Sequence, residues 1–329
     1  MKVLPYPEKP MFLCYHNRAF PFGIIQANSS EDITKWVCTK CVNCDFFPNS
    51  TKINFNIATW DVWGKLEGLM TQQVLQIKKD YLDVFNIDLL HLLQTAIKNN
   101  CYIHGKYNER YIPNKRAFNN EDYMHDFLII GCDDEKFLSV GYVADGQFKT
   151  YEIPNQNLID SLMQSSEKKI YLDFFSYEVG AVPLPNTDRM INDLKKYIST
   201  ANYLDNPTPD ENSYGIATNI RLKQFFVDEV NNGKKYIDSR YTRVLYEHKW
   251  VLTQLVDLFI DEDNKKKYLE SANRNLERAK LVHMLGLKML YTGNTNTVNR
   301  VSELMDHIIT EEMEYIPSLI NLLQTKYQN

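Results

Sequence analysis

A histidine and an aspartate lie on two predicted strands that a short acidic turn joins. Residues 123–146 read YMHDFLIIGCDDEKFLSVGYVADG, with apolar strands on either side of a turn centred near Asp134. Antiparallel pairing around that turn makes the numbers of paired residues sum to about 268, which sets His125 opposite Val143. Asp145 is then diagonal to His125, roughly 7–8 Å away between Cα atoms, so its carboxylate can reach the imidazole.

A histidine held by an acid is half of the Cys–His–Asp arrangement of nucleophilic enzymes. The acid fixes the histidine tautomer, and the histidine removes the proton of a thiol. His125 and Asp145 are therefore candidate catalytic residues, and they predict a cysteine at the start of a helix upstream. The alternative is that His125 only caps its strand by binding a backbone carbonyl.

Three other cysteines have a spacing that is typical of metal sites. Cys38, Cys41 and Cys44 recur at every third residue of WVCTKCVNCDF, like ligands for zinc or an iron–sulfur cluster. Cys14 or His16 would be the fourth ligand. On a continuous helix, however, thiols at this spacing do not converge, and no glycine or proline beside them makes a knuckle. We therefore expect partly buried thiols and no metal, with a metal-stabilised site as the alternative.

The apolar pattern predicts an α+β first half and a helical second half. Alternation predicts further strands at 51–57, 101–108, 147–153 and 168–177. Helical spacing predicts helices at 61–76, 86–99 and 155–165, and then at 188–200, 213–231, 238–261, 265–291 and 295–326. We expect a first domain over residues 1–185 and a helical bundle or cap over residues 186–329.

Composition excludes several classes of protein. The chain has 329 residues, 44% of them hydrophobic, which suffices for packed cores without disulfides. Its net charge of −5 and lack of Lys/Arg-rich runs predict no nucleic-acid partner. No apolar stretch approaches about 18 residues, and the N-terminus carries prolines and charges where a signal peptide is apolar. We expect no membrane association and a cytoplasmic location, where six cysteines are thiols or ligands.

One long stretch carries a family resemblance. Residues 99–140, NNCYIHGKYNERYIPNKRAFNNEDYMHDFLIIGCDDEKFLSV, resemble the region around the catalytic histidine in the butirosin biosynthesis protein H family. The shared order is a helix, a strand, a YIP-type segment, a loop, a His-Asp strand, an acidic turn and a second strand. The resemblance covers residues 10–165 and implies a papain-like, cysteine-protease-like α+β domain.

The resemblance also implies a nucleophilic cysteine that opens the first helix. CYHNRAFPFGII fits best at Cys14, because the positive end of a helix dipole favours the thiolate. Pro21 moves the predicted start of the regular helix to about residue 19, so Cys14 lies in the preceding loop. His16 and Asn17 are candidates to line an oxyanion site.

The third member of the arrangement departs from the family pattern. The position of its acid or amide aligns with Gly141 here, so Asp145 is the substitute that the hairpin geometry offers. A Cys–His dyad without an acid can also work. A surface loop explains His16 and Asn17 equally well, and burial as a small hydrophobe would explain Cys14.

The resemblance implies an amide synthetase of specialised, non-ribosomal metabolite biosynthesis. Cys14 would accept an acyl group from the phosphopantetheine thioester of an acyl or peptidyl carrier protein and pass it to a small amine, with no other cofactor. One alternative is a non-catalytic papain-like or metal-stabilised binding protein. The other is a cysteine hydrolase or peptidase, in which water is the acceptor.

Overall fold

The computed structural model describes residues 1–48, 53–57, 68–202 and 212–328. The chain divides into two compact units, Met1–Asp32 with Asp61–Pro183 and Ile33–Trp60 with Leu184–Asn329. The division after residue 183 lies beside the predicted boundary at 185. The stretch 33–60, which we placed in the first domain, belongs to the second unit because Cys38 and Val42 pack in the core of the C-terminal helices.

The elements follow in chain order. The strands are β1 Lys2–Val3, β2 Cys44–Pro48, β3 Ile53–Ile57, β4 Met70–Lys78, β5 Tyr102–Asn108, β6 Met124–Cys132, β7 Lys136–Tyr142, β8 Phe148–Pro154, β9 Lys169–Tyr177 and β10 Ser213–Tyr214. The helices are α1 His16–Asn28, α2 Thr34–Lys40, α3 Asp80–Val84, α4 Leu89–Lys98, α5 Asn155–Met163, α6 Thr187–Ser199, α7 Ala217–Asn231, α8 Ser239–Phe259, α9 Glu262–Thr292 and α10 Val298–Tyr327.

The first unit is built around an antiparallel sheet. Among the described residues it has seven strands in the order β4-β9-β5-β6-β7-β8, with β1 paired to the end of β6. α1, α4 and α5 pack against the strands and share with them a core that includes Phe127, Leu128 and Ile129, all fully buried. β5 and β6 lie in the middle of the sheet, so side chains at their ends are held by neighbours on both sides.

The predicted hairpin is confirmed as β6 and β7, and its register agrees at Leu128 and Ile129. Leu128 pairs with Val140, as the predicted sum requires, and a bulge near Ile130 shifts the pairs nearer the turn by one residue. Asp133 closes the turn by accepting hydrogen bonds from the N–H groups of Glu135 and Lys136, both at 2.9 Å. The pairing of β6 with β7 ends at Leu128 in this ladder, so the predicted pair of His125 with Val143 is not formed.

One predicted helix is a strand. The spacing over 61–76 favoured a helix, but β4 pairs with β9 along its whole length, from Met70 opposite Tyr177 to Lys78 opposite Lys169. Nine residue pairs of sheet outweigh the helix propensity of the glutamines in this segment. Of the other residues of that prediction, Gly68 and Leu69 lie in a turn before β4, and 61–67 lie outside the described residues.

The second unit is mainly helical, as predicted. α6, α7 and α9 pack on α10, and α2 and α9 pack on α8, around a core that includes Leu194, Val256 and Ile316. Gly293, with φ of 65°, ends α9 in the left-handed conformation that favours glycine. The two-residue strand β10 departs from the all-helical prediction, because it pairs with β2, which in turn pairs with β3.

The chain is therefore an α+β protein with an antiparallel sheet and C-terminal helices. In the part of the chain that the structure describes, no helix combines the length and apolar character that a membrane crossing needs.

Candidate active site

Cys14 lies just before α1, at a strained point of the backbone. α1 begins at His16 rather than at about residue 19, and it includes Pro21, so the cysteine is two residues from the helix start. Tyr15 between them has φ of 61° and ψ of 123°, a conformation that costs a non-glycine residue about 1–3 kcal/mol. The surrounding structure must hold this segment in place.

Contacts on both sides of Cys14 fix it to the strands that carry His125. The Tyr142 hydroxyl at the end of β7 donates to the carbonyl of Leu13 at 3.1 Å. The ring of His16 lies 4.7 Å from the ring of His125, centroid to centroid. Cys14 itself is 4% exposed. The structure thus brings the sequence segment of the predicted nucleophile to the predicted base.

An acid does hold His125, but it is Glu109. The Nδ1 atom of His125 lies 2.7 Å from the Oε1 atom of Glu109. Glu109 follows β5 directly, and its N–H donates to the carbonyl of Tyr123 at 2.8 Å, which pins it beside the start of β6. Because Nδ1 is engaged by the carboxylate, Nε2 is the nitrogen that can exchange a proton with a reacting group.

A buried lysine provides the second charge around Glu109. The Lys115 ammonium lies 3.5 Å from Oε1 of Glu109, and its side chain is only 2% exposed. It also donates to the carbonyl of Tyr142 at 2.5 Å and lies 4.6 Å above the ring of Tyr151. Burial of a carboxylate requires such a counter-charge. Lys115 therefore positions the acid that in turn orients His125.

His16 is buried beside this group with unused hydrogen-bonding capacity. Its ring stacks on Phe20 at 4.5 Å, and neither ring nitrogen makes a well-aligned hydrogen bond, although the backbone of Asp126 lies close to the ring. Burial lowers the pKa of His16 well below its usual value, with further lowering by His125, Lys115 and His104; the backbone of Asp126 opposes this shift. The ring is thus neutral at physiological pH. A neutral imidazole can donate one hydrogen bond to a ligand and accept another.

The structure does not bring Asp145 to His125. Asp145 lies in the exposed turn after β7, where it accepts from the N–H of Gln147 at 2.8 Å and pairs with the Lys149 ammonium at 2.9 Å. The hydrogen bond from Lys149 holds the pKa of Asp145 below its usual value. The predicted pairing of Asp145 with His125 is corrected in favour of Glu109.

The structure explains why glycine stands at position 141, where the family pattern has an acid or amide. Gly141 has φ of 150°, which favours glycine, and a Cβ added there would lie 3.5 Å from Nε2 of His16. That distance is an ordinary van der Waals contact, so an acid at this position would be disfavoured by backbone strain. Asn17, the other oxyanion candidate, is exposed on the first turn of α1.

Glu109 was missed because only the hairpin partner of His125 was considered. On its other side β6 pairs with β5, and Tyr107 lies directly opposite His125. Glu109 is two residues beyond Tyr107 and is therefore diagonal to His125, the relation that we assigned to Asp145. The sequence did contain a signal for this acid, because Glu109 directly follows the strand predicted at 101–108.

A second histidine–acid pair lies nearby on the same sheet. Nδ1 of His104 on β5 is 3.1 Å from Oδ2 of Asp173 on β9, and Gln72 donates to the other carboxylate oxygen at 2.9 Å. Sequence reasoning did not single out either residue. His104 is one of the neighbours that lower the pKa of His16.

The three closely spaced cysteines lie in the second unit. Cys38 is on α2 with its Sγ atom 3.7 Å from the Val251 carbonyl, Cys41 follows the helix, and Cys44 begins β2. Burial raises the pKa of the Cys44 thiol well above its usual value. Within the described residues, no group of three or more His, Cys, Asp or Glu side chains is arranged to hold a metal ion. No disulfide involves any of the six cysteines.

No family model and no curated protein matches the sequence. The chemistry of the site must therefore be inferred from its own residues.

Proposed function

We propose that the chain is a cysteine-dependent acyltransferase with a papain-like arrangement, in which Cys14 is the nucleophile, His125 the base and Glu109 the orienting acid. The observation that carries the proposal is the 2.7 Å contact between Nδ1 of His125 and Glu109. This contact leaves Nε2 for a thiol, and the strained segment of Cys14 is packed against the same strands.

In the first step the thiol attacks an acyl thioester. His125 removes the proton of Cys14, the thiolate adds to the thioester carbonyl, and a new carbon–sulfur bond forms. The carbon–sulfur bond of the donor then breaks, and its thiolate takes the proton from His125. One thioester replaces another, so the step needs no nucleotide and no redox cofactor.

In the second step an amine takes the acyl group. Its nitrogen attacks the acyl-Cys14 carbonyl, His125 accepts the amine proton, and the proton passes to the departing Cys14 sulfur. Neutral His16, whose ring nitrogens make no well-aligned hydrogen bond within the chain, supports a role as donor to the oxyanion of both steps. The exposure of Asn17 favours His16 over Asn17 in this role.

The donor and acceptor follow from the family resemblance. We propose an acyl or peptidyl carrier protein that presents its acyl group on phosphopantetheine, a small amine acceptor, and a cytoplasmic setting in specialised metabolite biosynthesis. Transfer to water would make the protein a hydrolase that uses the same three residues.

Intact-mass analysis tests the nucleophile. The protein is incubated with an acyl-pantetheine thioester, and we expect one acyl adduct per chain, mapped to Cys14 by peptide analysis. The adduct is absent in Cys14→Ala and forms more slowly in His125→Ala. Cys101→Ala is the matched control, because Cys101 is a more accessible thiol that lies 3.1 Å from the hydroxyl of Ser176, outside the site.

Product analysis separates transfer from hydrolysis. Addition of a primary amine to the adduct should release an amide, whereas a hydrolase would release the free acid at the same rate with or without amine. An adduct on another cysteine, or acylation that is unchanged in His125→Ala, would refute the proposal and favour a non-catalytic binding protein.

A further inference from the structure

The sheet of the first unit has two edges, and they differ in what protects them. β4 and β8 are the outer strands of the order that the described residues form. β8 carries Lys149 and Glu152 and ends in Pro154, and charges and proline at an edge discourage pairing with another chain. β4 has no proline, and its one charged residue is Lys78 at its end. The edge at β4 is therefore the less protected one.

The register between β4 and β9 decides which backbone groups of β4 face outward. Directly after β4, Lys79 donates its N–H to the carbonyl of Lys168, the residue opposite it in the ladder. Such hydrogen-bonded pairs recur at every second residue of an antiparallel ladder, so the odd-numbered residues of β4 bond to β9. The N–H and C=O groups of Gln72, Val74 and Gln76 therefore point away from the sheet.

These outward groups are accessible. Gln72, Val74 and Gln76 are all exposed, Val74 at 53%. In the described parts of the chain, no hydrogen bond reaches their backbone N–H and C=O groups. A row of such groups at alternate residues matches the hydrogen-bonding groups of one more extended strand. The edge therefore indicates a strand as its partner, rather than a helix or a small molecule.

The sequence of β4 is complementary to a second copy of itself. A two-fold axis at Val74 sets Val74 opposite its counterpart and Gln72 opposite Gln76 of the other copy, all with their outward groups facing each other. The overlap then covers the whole strand, from Met70 to Lys78. No like charges lie opposite each other, because Lys78 is the one charged residue and it faces Met70.

We propose that two copies of the chain pair through β4, antiparallel about a two-fold axis at Val74, and that their sheets thereby become one. The contact uses the same strand of both copies, so it closes at two and leaves no further open edge at β4. Val74 packs on its counterpart, which removes exposed apolar surface from water. The inference does not rest on the proposed acyl transfer, because β4 contributes no residue to that site.

Light scattering of the full chain over a range of concentrations tests the dimer. The wild type should reach twice the chain mass of 38.7 kDa. Val74→Pro removes an outward N–H and no bond to β9, so it should remain folded and have the mass of one chain. Val74→Lys keeps every backbone bond but sets two ammonium groups opposite each other, and it should also be monomeric. Circular dichroism shows which variant is folded, and either folded variant decides the question.

The other edge of the sheet supplies a matched control. Thr150→Pro makes the same backbone change at an outward position of β8, because the odd-numbered residues of β8 bond to β7. This variant should remain dimeric.

Cross-linking tests the position of the axis. In Val74→Cys the two new thiols lie opposite each other, with Cα atoms about 5.5 Å apart, which suits a disulfide. In Gln76→Cys the corresponding Cα atoms are about 14 Å apart. After mild oxidation, non-reducing gels should show a covalent dimer for Val74→Cys and none for Gln76→Cys above the background that the six native cysteines give in the wild type.

Several results would overturn the proposal. One is a wild-type chain that is monomeric at every concentration, and another is a dimer that persists in a folded Val74→Pro or Val74→Lys variant. Equal cross-linking of Val74→Cys and Gln76→Cys would remove the axis from Val74. Growth beyond two copies that Thr150→Pro blocks would mean that β4 pairs with β8 of the next chain instead.

Discussion

The two units each bury a lysine, a glutamate and a histidine, yet the two groups differ in what they leave unpaired. In the second unit the Lys249 ammonium lies within 3.1 Å of Glu312, the Tyr197 hydroxyl and Nδ1 of His248. Nε2 of His248 completes the set by donating to the Val42 carbonyl at 2.7 Å. Both nitrogens of this histidine and the whole ammonium are therefore used.

In the first unit the same residue types are only partly paired. Glu109 engages Nδ1 of His125 and lies near Lys115, but neither ring nitrogen of His16 makes a well-aligned hydrogen bond. The side chain of His125 is 34% exposed, whereas Lys249 and Glu312 are 1% and 0% exposed.

The difference separates a structural network from a candidate site. An enclosed network holds α6, α7, α8 and α10 in one arrangement. Two of its oxygens accept no hydrogen bond, the Asn219 amide oxygen and Oε1 of Glu312, and the latter lies 2.8 Å from the Lys249 ammonium. A group that reacts must keep a nitrogen available and must be reachable. Residue types alone do not distinguish the two cases.

The largest effect that we expect is loss of stability in the second unit. Lys249→Met leaves Glu312 buried without its counter-charge and should lower the free energy of unfolding by about 3–5 kcal/mol. Urea denaturation measures this loss. The double variant Lys249→Met with Glu312→Leu should recover most of it, and a single variant as stable as the wild type would show that the network is not a closed ion pair.

In the first unit we expect a loss of rate, accompanied by some loss of stability because buried Lys115 loses its counter-charge. Glu109→Gln should reduce kcat/KM for acyl transfer by about 10²–10³-fold, because His125 loses the acid that sets its tautomer and stabilises its charge. The measurement is transfer from an acyl-pantetheine thioester to an amine. Asp145→Asn makes the same carboxylate-to-amide change in the exposed turn and should leave the rate unchanged; equal effects of the two variants would remove Glu109 from the mechanism.

Acid should weaken the fold through histidines that are buried in the neutral form. Burial lowers the pKa of His16 and of His248 well below 6.5, so the folded chain does not bind the protons that the unfolded chain binds. Above about pH 6.5 these histidines are neutral in both states, and the chain keeps its full stability. Below that pH the free energy of unfolding decreases by about 1.4 kcal/mol per pH unit for each histidine. Denaturant titrations between pH 7 and 5 measure this slope.

His16→Gln should reduce that pH slope by about 1.4 kcal/mol per pH unit, which corresponds to one proton. His307→Gln removes a histidine that is 57% exposed and should leave the slope unchanged. A slope that is the same in His16→Gln as in the wild type would mean that the His16 ring binds a proton in the folded chain.

The smallest expected effect concerns the strained residue beside Cys14. Tyr15→Gly and Tyr15→Ala remove the same ring, but only glycine adopts φ of 61° without a steric penalty. Tyr15→Gly should therefore be more stable than Tyr15→Ala by about 1 kcal/mol, measured by thermal unfolding. Equal stability would show that the backbone there relaxes.

Local patterns in the sequence predicted most elements. Alternation placed β5 to β9, and three- and four-residue spacing placed α4 and the helices from α6 to α10, because both patterns reflect the burial of one face. Prediction was wrong at residues 70–76, where an apolar and glutamine-rich segment forms β4. Pairing with β9 decided that segment, and a distant strand leaves no local mark.

The site shows the same limit. His125 and its need for an acid followed from the hairpin, and Cys14 and His16 followed from a family resemblance. The identity of the acid did not, since a strand in the middle of a sheet has two neighbours and the hairpin reveals only one of them. Glu109 enters through the other neighbour, β5.

The sequence by itself indicated candidate site residues, most of the strands and helices, and the hairpin that closes on an acidic turn. Only the tertiary structure decided that Glu109 holds His125, that Asp145 binds Lys149 instead, and that the stretch 33–60 joins the helical unit. The physical reason is that periodicity records how each segment faces a core, whereas partners are chosen by contacts between segments that are far apart in the chain.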